Sequence, residues 1–178
     1  MLTVGTPAPE LGHPVTTIDG EETTLAQLAG DKALLLILLK TSCKSCKVVL
    51  PFASTLAKQL DDAPLSIVAV TQDSPNVTRS FRRRYEVDLP FVVDPAGFPL
   101  SVAYDIEATP TWFLIGKDGL IKNTGFGVFH QPLNELLSTI AGEVPGAPQL
   151  MFSDIDPELP AFIPACPSKH LQEPLAKW

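Results

Sequence analysis

Two cysteines separated by two residues carry the clearest chemical signal in this chain of 178 residues. They lie in the segment Cys43-Lys44-Ser45-Cys46, after an unbroken apolar run and at the start of a helical pattern. Residues three apart in a helix share one face, so the two sulfur atoms can meet and form a disulfide. The motif therefore predicts a redox-active dithiol in which Cys43 attacks a substrate disulfide and Cys46 resolves the mixed disulfide.

Three features are expected to set the ionisation of the two thiols. A helix N-terminus carries partial positive charge, which favours a thiolate, and Lys44 and Lys47 are expected to lower the pKa of Cys43 further. Because an attacking thiol must reach its substrate, we expect Cys43 to open the helix and to be partly exposed. Cys46, further into the helix, is expected to stay protonated to higher pH.

Alternating strand and helix patterns surround the motif. Residues 33–39 are apolar at every position, as in a strand covered on both faces, and we place this strand centrally in a sheet. The helix after it is expected to run from residue 43 to about residue 60. Further strands are predicted at residues 65–70, 91–93, 111–115 and 120–124, and further helices at 76–85, 98–104 and 131–141.

The two ends of the chain differ from this central part. Residues 1–32 form an N-terminal extension with a short hairpin around Asp19-Gly20. Residues 143–178 are rich in proline, and we interpret them as an extended tail that the fold does not need. A single domain is therefore expected over residues 1–142. The prolines that define the tail are Pro145, Pro148, Pro157, Pro160, Pro164, Pro167 and Pro174.

Composition argues against several classes of partner. The formal net charge is -7 and the isoelectric point is about 4.8, which disfavours binding to nucleic acid or to an anionic membrane. No apolar run approaches the roughly 20 residues of a membrane span. No basic-then-apolar signal opens the sequence, so we expect a cytoplasmic protein, or an extracytoplasmic one if an export signal has been removed. We expect a monomer without a cofactor.

The order of elements and three local matches resemble the thioredoxin fold. The matches are the Cys43-x-x-Cys46 motif, Pro51 inside the following helix, and the segment Ala108-Thr109-Pro110-Thr111, which resembles the cis-proline loop of that family. Residues 80–127 resemble more specifically the redoxin or TlpA-like branch, related to AhpC/TSA proteins. The resemblance covers about residues 3–142.

This resemblance implies an α/β fold of three layers, in which a central mixed sheet carries helices on both faces. It implies a thiol–disulfide oxidoreductase acting on protein disulfides, with an unidentified reductase or oxidant that recycles the dithiol. It also implies that Thr109 and Pro110 contact the bound substrate. The chain departs from relatives at Ile37 and Val49, where buried carboxylates serve as proton carriers in some members of the family.

Two other uses of the cysteines stay open. A peroxiredoxin would need proline and threonine or serine before its reactive cysteine, where this chain has Leu36 and Lys40. A zinc site would need two further ligands, for which Cys166 and His170 are the nearest candidates. A copper-carrying relative would have a histidine near residue 108, and none is there. Cys166 itself is interpreted as a free thiol on the tail, or as a resolving or intermolecular partner.

Overall fold

The computed structural model describes residues 1–172. The helices are α1 (Leu25–Ala29), α2 (Cys46–Gln59), α3 (Pro75–Arg84), α4 (Pro99–Ala103), α5 (His130–Glu143) and α6 (Phe152–Ile155), with a 3-10 turn at Lys169–Leu171. The strands are β1 (Pro14–Thr17), β2 (Glu22–Thr24), β3 (Ala33–Leu39), β4 (Leu65–Thr71), β5 (Phe91–Val93), β6 (Ala108–Thr109), β7 (Thr111–Ile115), β8 (Ile121–Phe126), β9 (Val128–Phe129), β10 (Phe162–Ile163) and β11 (Cys166–Pro167).

A seven-stranded mixed sheet forms the centre of the molecule. Its strand order is β2-β1-β5-β4-β3-β7-β8, with β3 parallel to β4 and antiparallel to β7. Every residue of β3 is buried, as expected for a strand with neighbours on both sides and helices on both faces. The N-terminal hairpin of β1 and β2 extends the sheet beyond β5. The predicted three-layer fold and its N-terminal hairpin are confirmed.

Alternate residues of the strands face two separate apolar cores. Leu35, Ile37 and Leu39 face the core that also contains apolar residues of α2, α3, α5 and α6. Leu34, Leu36 and Leu38 face the opposite core, which contains residues of α1 and α4. The period of two along a strand produces this division. In this way, β3 anchors the segment that follows it from both faces of the sheet.

The helix that carries the dithiol begins later than the sequence suggested. Cys43 lies in a turn closed by a hydrogen bond from its backbone amide to the carbonyl oxygen of Lys40, at 3.2 Å. Ser45 is the N-cap residue, and α2 begins at Cys46. The prediction that Cys43 opens the helix is therefore wrong. Turn geometry separates the two thiols: Cys46 belongs to the first helical turn, whereas Cys43 precedes it.

The interpretation of the tail as an extended segment is wrong for much of its described part. Helix α6 and strands β10 and β11 lie within it, and Ile155 and Leu159 are buried in the core on the α2 side of the sheet. Strand β10 pairs with β9 and β11 pairs with β6, both antiparallel. Apolar burial and backbone pairing to the preceding domain therefore order this segment. Pro174 lies outside the described residues.

Candidate active site

The loop between β3 and α2 places Cys43 beneath two other segments. Its Sγ lies 3.0 Å from Ser45 Oγ and 3.2 Å from the carbonyl oxygen of Thr109, to which the protonated thiol donates a hydrogen bond. Cys43 has no exposed surface, so the expected partial exposure is wrong. Residues from three parts of the chain thus enclose this sulfur: its own turn, the loop before β7, and the tail.

Contacts with neighbouring thiols and a hydroxyl stabilise the Cys43 thiolate. The Cys46 thiol has the largest effect, and it lowers the pKa of Cys43. Burial raises this pKa, whereas hydrogen bonds from Cys166 and Ser45 lower it further. The net result is a pKa of about 4. The reference value of a free thiol is near 8.5, so Cys43 is a thiolate at neutral pH.

Cys46 has the opposite character. Burial without solvent access raises its pKa well above the ordinary value, and the nearby Cys43 raises it further. A buried thiol beside a thiolate keeps its proton, because a second negative charge in the same place is costly. The expected division between an ionised Cys43 and a protonated Cys46 therefore agrees with the opposite directions of their pKa shifts.

The two predicted lysines are not among the largest causes of the lowered pKa of Cys43. Lys44 is exposed and Lys47 is half-buried. Because a solvated ammonium is well screened, its effect on a buried sulfur is small. A tuning role for Lys44 and Lys47 stays a prediction.

The loop before β7 has the predicted cis peptide bond between Thr109 and Pro110. Thr109 is buried, and its backbone pairs with Cys166 of the tail in the antiparallel β6–β11 ladder. Thr109 Oγ1 also donates to the Cys166 carbonyl oxygen at 3.5 Å. Thus the chain's own tail occupies the position at which the family resemblance places the substrate.

The third cysteine lies at the site rather than on a free tail. Cys166 is half-buried, and its contact with Cys43 lowers the pKa of Cys43. The pKa of Cys166 itself is raised, mainly by burial and then by the adjacent Cys43. The structure therefore brings Cys43, Cys46 and Cys166 together, and the interpretation of Cys166 as an unattached tail thiol is wrong.

Polar residues beyond the cysteines hold the tail, and the sequence analysis missed them. Lys40 Nζ donates to the Pro167 carbonyl oxygen at 2.5 Å, and Gln72 Nε2 donates to Ser168 Oγ at the same distance. Asp73 accepts a hydrogen bond from the Thr41 amide at 2.6 Å and forms an ion pair with Lys169.

One sequence signal could have drawn attention to part of this cluster. Strands β3 and β4 are parallel, with Leu39 opposite Thr71, so the residues following each strand meet at one edge of the sheet. Gln72 and Asp73 directly follow β4 and therefore lie beside the residues that follow β3. Nothing in the sequence near Ser168 or Lys169 indicated that these residues would join them.

A buried carboxyl group extends this polar cluster beneath the tail. Asp94 accepts hydrogen bonds from the backbone amides of Leu100 and Ser101, both at 2.9 Å, and from Ser101 Oγ at 2.6 Å. Burial raises the pKa of Asp94 in spite of these bonds. Gln72 Nε2 also donates to Ser101 Oγ at 2.7 Å, so one amide group joins the sheet, α4 and the tail.

Residues 1–172 contain neither a group of metal ligands nor a membrane-spanning helix. No group of three or more histidine, cysteine, aspartate or glutamate side chains in this part of the chain is arranged to hold a metal ion. His170, the candidate zinc ligand in the tail, instead has its Nδ1 at 2.8 Å from Ser168 Oγ. Over the same residues, no helix has the length and apolar character needed to cross a membrane.

Known proteins share this fold and parts of this sequence. The AhpC/TSA family model matches residues 4–124. The thiol–disulfide oxidoreductase ResA of Geobacillus kaustophilus is 30% identical over 122 residues, which cover 68% of each protein. The thioredoxin-like protein YneN of Bacillus subtilis is 28% identical over 127 residues, covering 69% of this chain and 71% of YneN.

A solved structure gives the same result for the fold. The crystal structure of a putative thiol:disulfide interchange protein DsbE from Chlorobium tepidum superposes with a TM-score of 0.71 at 20% identity. The match covers 80% of this chain and 99% of that one. Fold, dithiol and family match agree, and the chain belongs to the AhpC/TSA family.

Proposed function

We propose that this protein is a thiol–disulfide oxidoreductase that acts on protein disulfides through Cys43 and Cys46. The observation that supports it best is the position of the Cys43-x-x-Cys46 motif at the start of α2, with Cys43 Sγ against the carbonyl oxygen of Thr109 in the cis-proline loop. The lowered pKa of Cys43 and the raised pKa of the buried Cys46 agree with it. Thiol–disulfide exchange needs one ionised thiol to attack and a second thiol to resolve the product.

The first step is attack by the Cys43 thiolate on one sulfur of a substrate disulfide. A bond forms between Cys43 Sγ and that sulfur, while the substrate disulfide breaks and its other sulfur leaves as a thiolate. In the second step, Cys46 attacks Cys43 Sγ and releases the remaining substrate sulfur. The proton of Cys46 passes to a departing substrate thiolate, because Ile37 and Val49 offer no carboxylate for it.

The oxidised Cys43–Cys46 pair must then be reduced by an external dithiol before the next turnover. The same steps in reverse would oxidise a substrate dithiol. Because Cys43 has no exposed surface, a substrate disulfide can reach it only when residues of β11 leave β6. The freed edge of β6 would then offer backbone groups to an extended substrate segment.

Insulin reduction with dithiothreitol as electron donor tests the proposal. Cys43→Ser should abolish the activity. Pre-reduced Cys166→Ser should still reduce insulin disulfides in a single turnover, because both cysteines of the motif remain. The double variant Cys46→Ser/Cys166→Ser should accumulate a mixed disulfide between Cys43 and the substrate, visible by mass spectrometry. Full activity in Cys43→Ser would refute the mechanism.

Peroxide reduction is the rival use of the same thiolate. The positions before Cys43 do not suit it: Leu36 is fully buried in the sheet core, and the Lys40 ammonium donates to a tail carbonyl oxygen. We expect hydrogen peroxide to be consumed much more slowly than insulin disulfides are reduced. A peroxide consumption assay on the same preparation makes this comparison directly.

A further inference from the structure

The segment that carries Cys166 is held at Cys43 by contacts on both sides. Before it, β10 pairs with β9. After it, the Ser168 amide donates to the Glu107 carbonyl oxygen at 2.9 Å, and the Lys169 amide donates to Gln72 Oε1 at 3.0 Å. Ser168 is completely buried. These contacts therefore fix the position of Cys166 beside the reactive sulfur of Cys43.

A glycine of the preceding domain makes room for this segment. Gly127 has a φ of +69°, and a Cβ atom there would lie 3.2 Å from the Ile163 carbonyl oxygen and 3.3 Å from the Ala165 amide nitrogen. A side chain at residue 127 would therefore strain the backbone and press against the tail just before Cys166. The domain surface is thus shaped to receive the tail at this point.

We infer that Cys166 is a third redox cysteine, which exchanges with the Cys43–Cys46 disulfide to form a Cys43–Cys166 disulfide. The inference rests on the proposed function, because that reaction supplies the oxidised motif. The register pairs Cys166 with Thr109, and Cys43 Sγ contacts the carbonyl oxygen of the same Thr109. Cys43 and Cys166 therefore both lie against Thr109, Cys43 through its sulfur and Cys166 through its backbone. The Cys166 side chain is also close enough to Cys43 to lower the pKa of Cys43.

The exchange needs no further oxidant. Cys166 loses its proton and attacks Cys43 Sγ; the bond between Cys43 and Cys166 forms as the bond between Cys43 and Cys46 breaks. The electron pair of the broken bond goes to the Cys46 sulfur, which takes up the proton that Cys166 released. Cys46 is well suited to hold that proton, since burial raises its pKa well above the ordinary value. One disulfide and one thiol are present before and after the step.

The exchange moves the disulfide toward solvent. Cys43 and Cys46 have no exposed surface, whereas Cys166 is half-buried. An external thiolate can attack Cys166 Sγ and release Cys43 as a thiolate. Since a sulfur of lower pKa is the better leaving group, Cys43 is the favoured one to leave. Cys166 would thus connect a buried dithiol with the reductant that recycles it.

Disulfide mapping of the full chain tests the inference. Reduced Cys46→Ser is treated with one equivalent of oxidised glutathione, quenched in acid with an alkylating agent, digested and analysed by mass spectrometry. Glutathione should first join Cys43 and then be displaced by Cys166, leaving a Cys43–Cys166 disulfide and two reduced glutathiones. In the wild type after limited oxidation, Cys43–Cys46 and Cys43–Cys166 disulfides should both be present.

A matched control separates docking from random collision of a tail thiol. The variant Cys46→Ser/Cys166→Ser/Ala161→Cys carries its tail thiol at an exposed position nearby. Its new tail cysteine should form a disulfide with Cys43 at least about tenfold more slowly than Cys166 does in Cys46→Ser. A tenfold difference in rate corresponds to about 1.4 kcal/mol in the activation free energy. Equal rates, or a glutathione adduct on Cys43 that persists in Cys46→Ser, would overturn the inference.

The same samples distinguish the two proposals. If Cys166→Ser forms the Cys43–Cys46 disulfide and reduces insulin, while no Cys43–Cys166 disulfide appears in any variant, only the role of Cys166 fails. If Cys43 does not react with oxidised glutathione even when Cys46 and Cys166 are both intact, the proposed function and the role of Cys166 fail together.

Discussion

Two regions flank the reactive sulfur, and they are held in place by different means. On one side, the first turn of α2 presents Cys46 within an apolar core that includes Val49 and Leu50. On the other side, β11 presents Cys166 through backbone pairing and polar contacts. Close spacing along the chain keeps Cys46 near Cys43, whereas Cys166 is near it only while the tail is docked. We therefore expect the tail, rather than α2, to be the side of the site that opens to admit a substrate.

The two regions also differ in sensitivity to solution conditions. Burial would raise the pKa of Asp73, but the hydrogen bonds from Lys169 and from the Thr41 backbone outweigh it and lower this pKa. Because a lowered pKa means that the carboxylate is favoured when the tail is docked, protonating Asp73 in acid weakens docking. The apolar contacts of α2 contain no such group. Acid should thus loosen the tail before it disturbs the helix.

The largest expected effect comes from breaking the apolar attachment of the tail. Leu159 is 4% exposed, and truncating a buried leucine to alanine costs about 2–5 kcal/mol. Leu159→Ala should therefore lower the free energy of unfolding by this amount in a urea titration. Leu171→Ala removes a leucine that is 48% exposed and serves as the control, with an expected change within about 0.5 kcal/mol.

This prediction replaces the expectation that the fold does not need residues 143–178. If Leu159→Ala and Leu171→Ala have equally small effects, the tail contributes nothing to the core, and the sequence-based expectation was right after all.

An intermediate effect is expected from the ion pair that holds β11. Lys169 Nζ contacts Asp73 and donates to the Gln72 carbonyl oxygen at 3.2 Å. Since a hydrogen bond to a charged group contributes about 1.5–3 kcal/mol, Lys169→Met should expose Cys43 more often and speed its alkylation by iodoacetamide about tenfold or more.

Lys117→Met is the control for this measurement, because Lys117 is exposed on the turn between β7 and β8, away from the tail. Its alkylation rate should match that of the wild type. If Lys169→Met also matches the wild type, the ion pair does not control access to Cys43.

The sequence predicted a region well where the interactions that form it join residues close together in the chain. The unbroken apolar residues of β3 indicated a central strand, and Ser74-Pro75 indicated the start of α3, where Ser74 does cap the Val77 amide. Both signals are local in the chain. The dithiol and the cis peptide bond at Pro110 were equally local, and they were recognised by motif.

The docked tail could not be predicted in the same way. Strands β10 and β11 have two residues each, which is too short for any periodic pattern. The contact between Lys40 and Pro167 joins residues 127 positions apart, and only the folded structure brings them together. The tail adds to the enclosure of Cys43, so the sequence led to a partly exposed thiol where the structure has an enclosed one.

The smallest expected effect concerns the Cys43 environment itself. Ser45 is buried, with its Oγ 3.0 Å from Cys43 Sγ, and this contact lowers the pKa of Cys43. Ser45→Ala should raise this pKa by about one, in line with the loss of one hydrogen bond to a charged group. Ser42→Ala, at an exposed position of the same loop, should leave it unchanged.

Substitution of the motif lysines completes this series. Lys44→Met and Lys47→Met should change the pKa of Cys43 less than Ser45→Ala does, because Ser45 is among the largest causes of its lowered pKa and neither lysine is. A larger change from either lysine variant would restore the charge-based explanation that the sequence suggested.

The most direct test of the account is the ionisation of Cys43 in the reduced protein. Thiolates absorb in the far ultraviolet, so absorbance of the wild type minus that of Cys43→Ser, followed as pH rises, gives the pKa without requiring any reagent to enter the site. We expect a midpoint near pH 4, with Cys43 fully ionised at neutral pH. A midpoint above about pH 8, the range of an ordinary thiol, would contradict it.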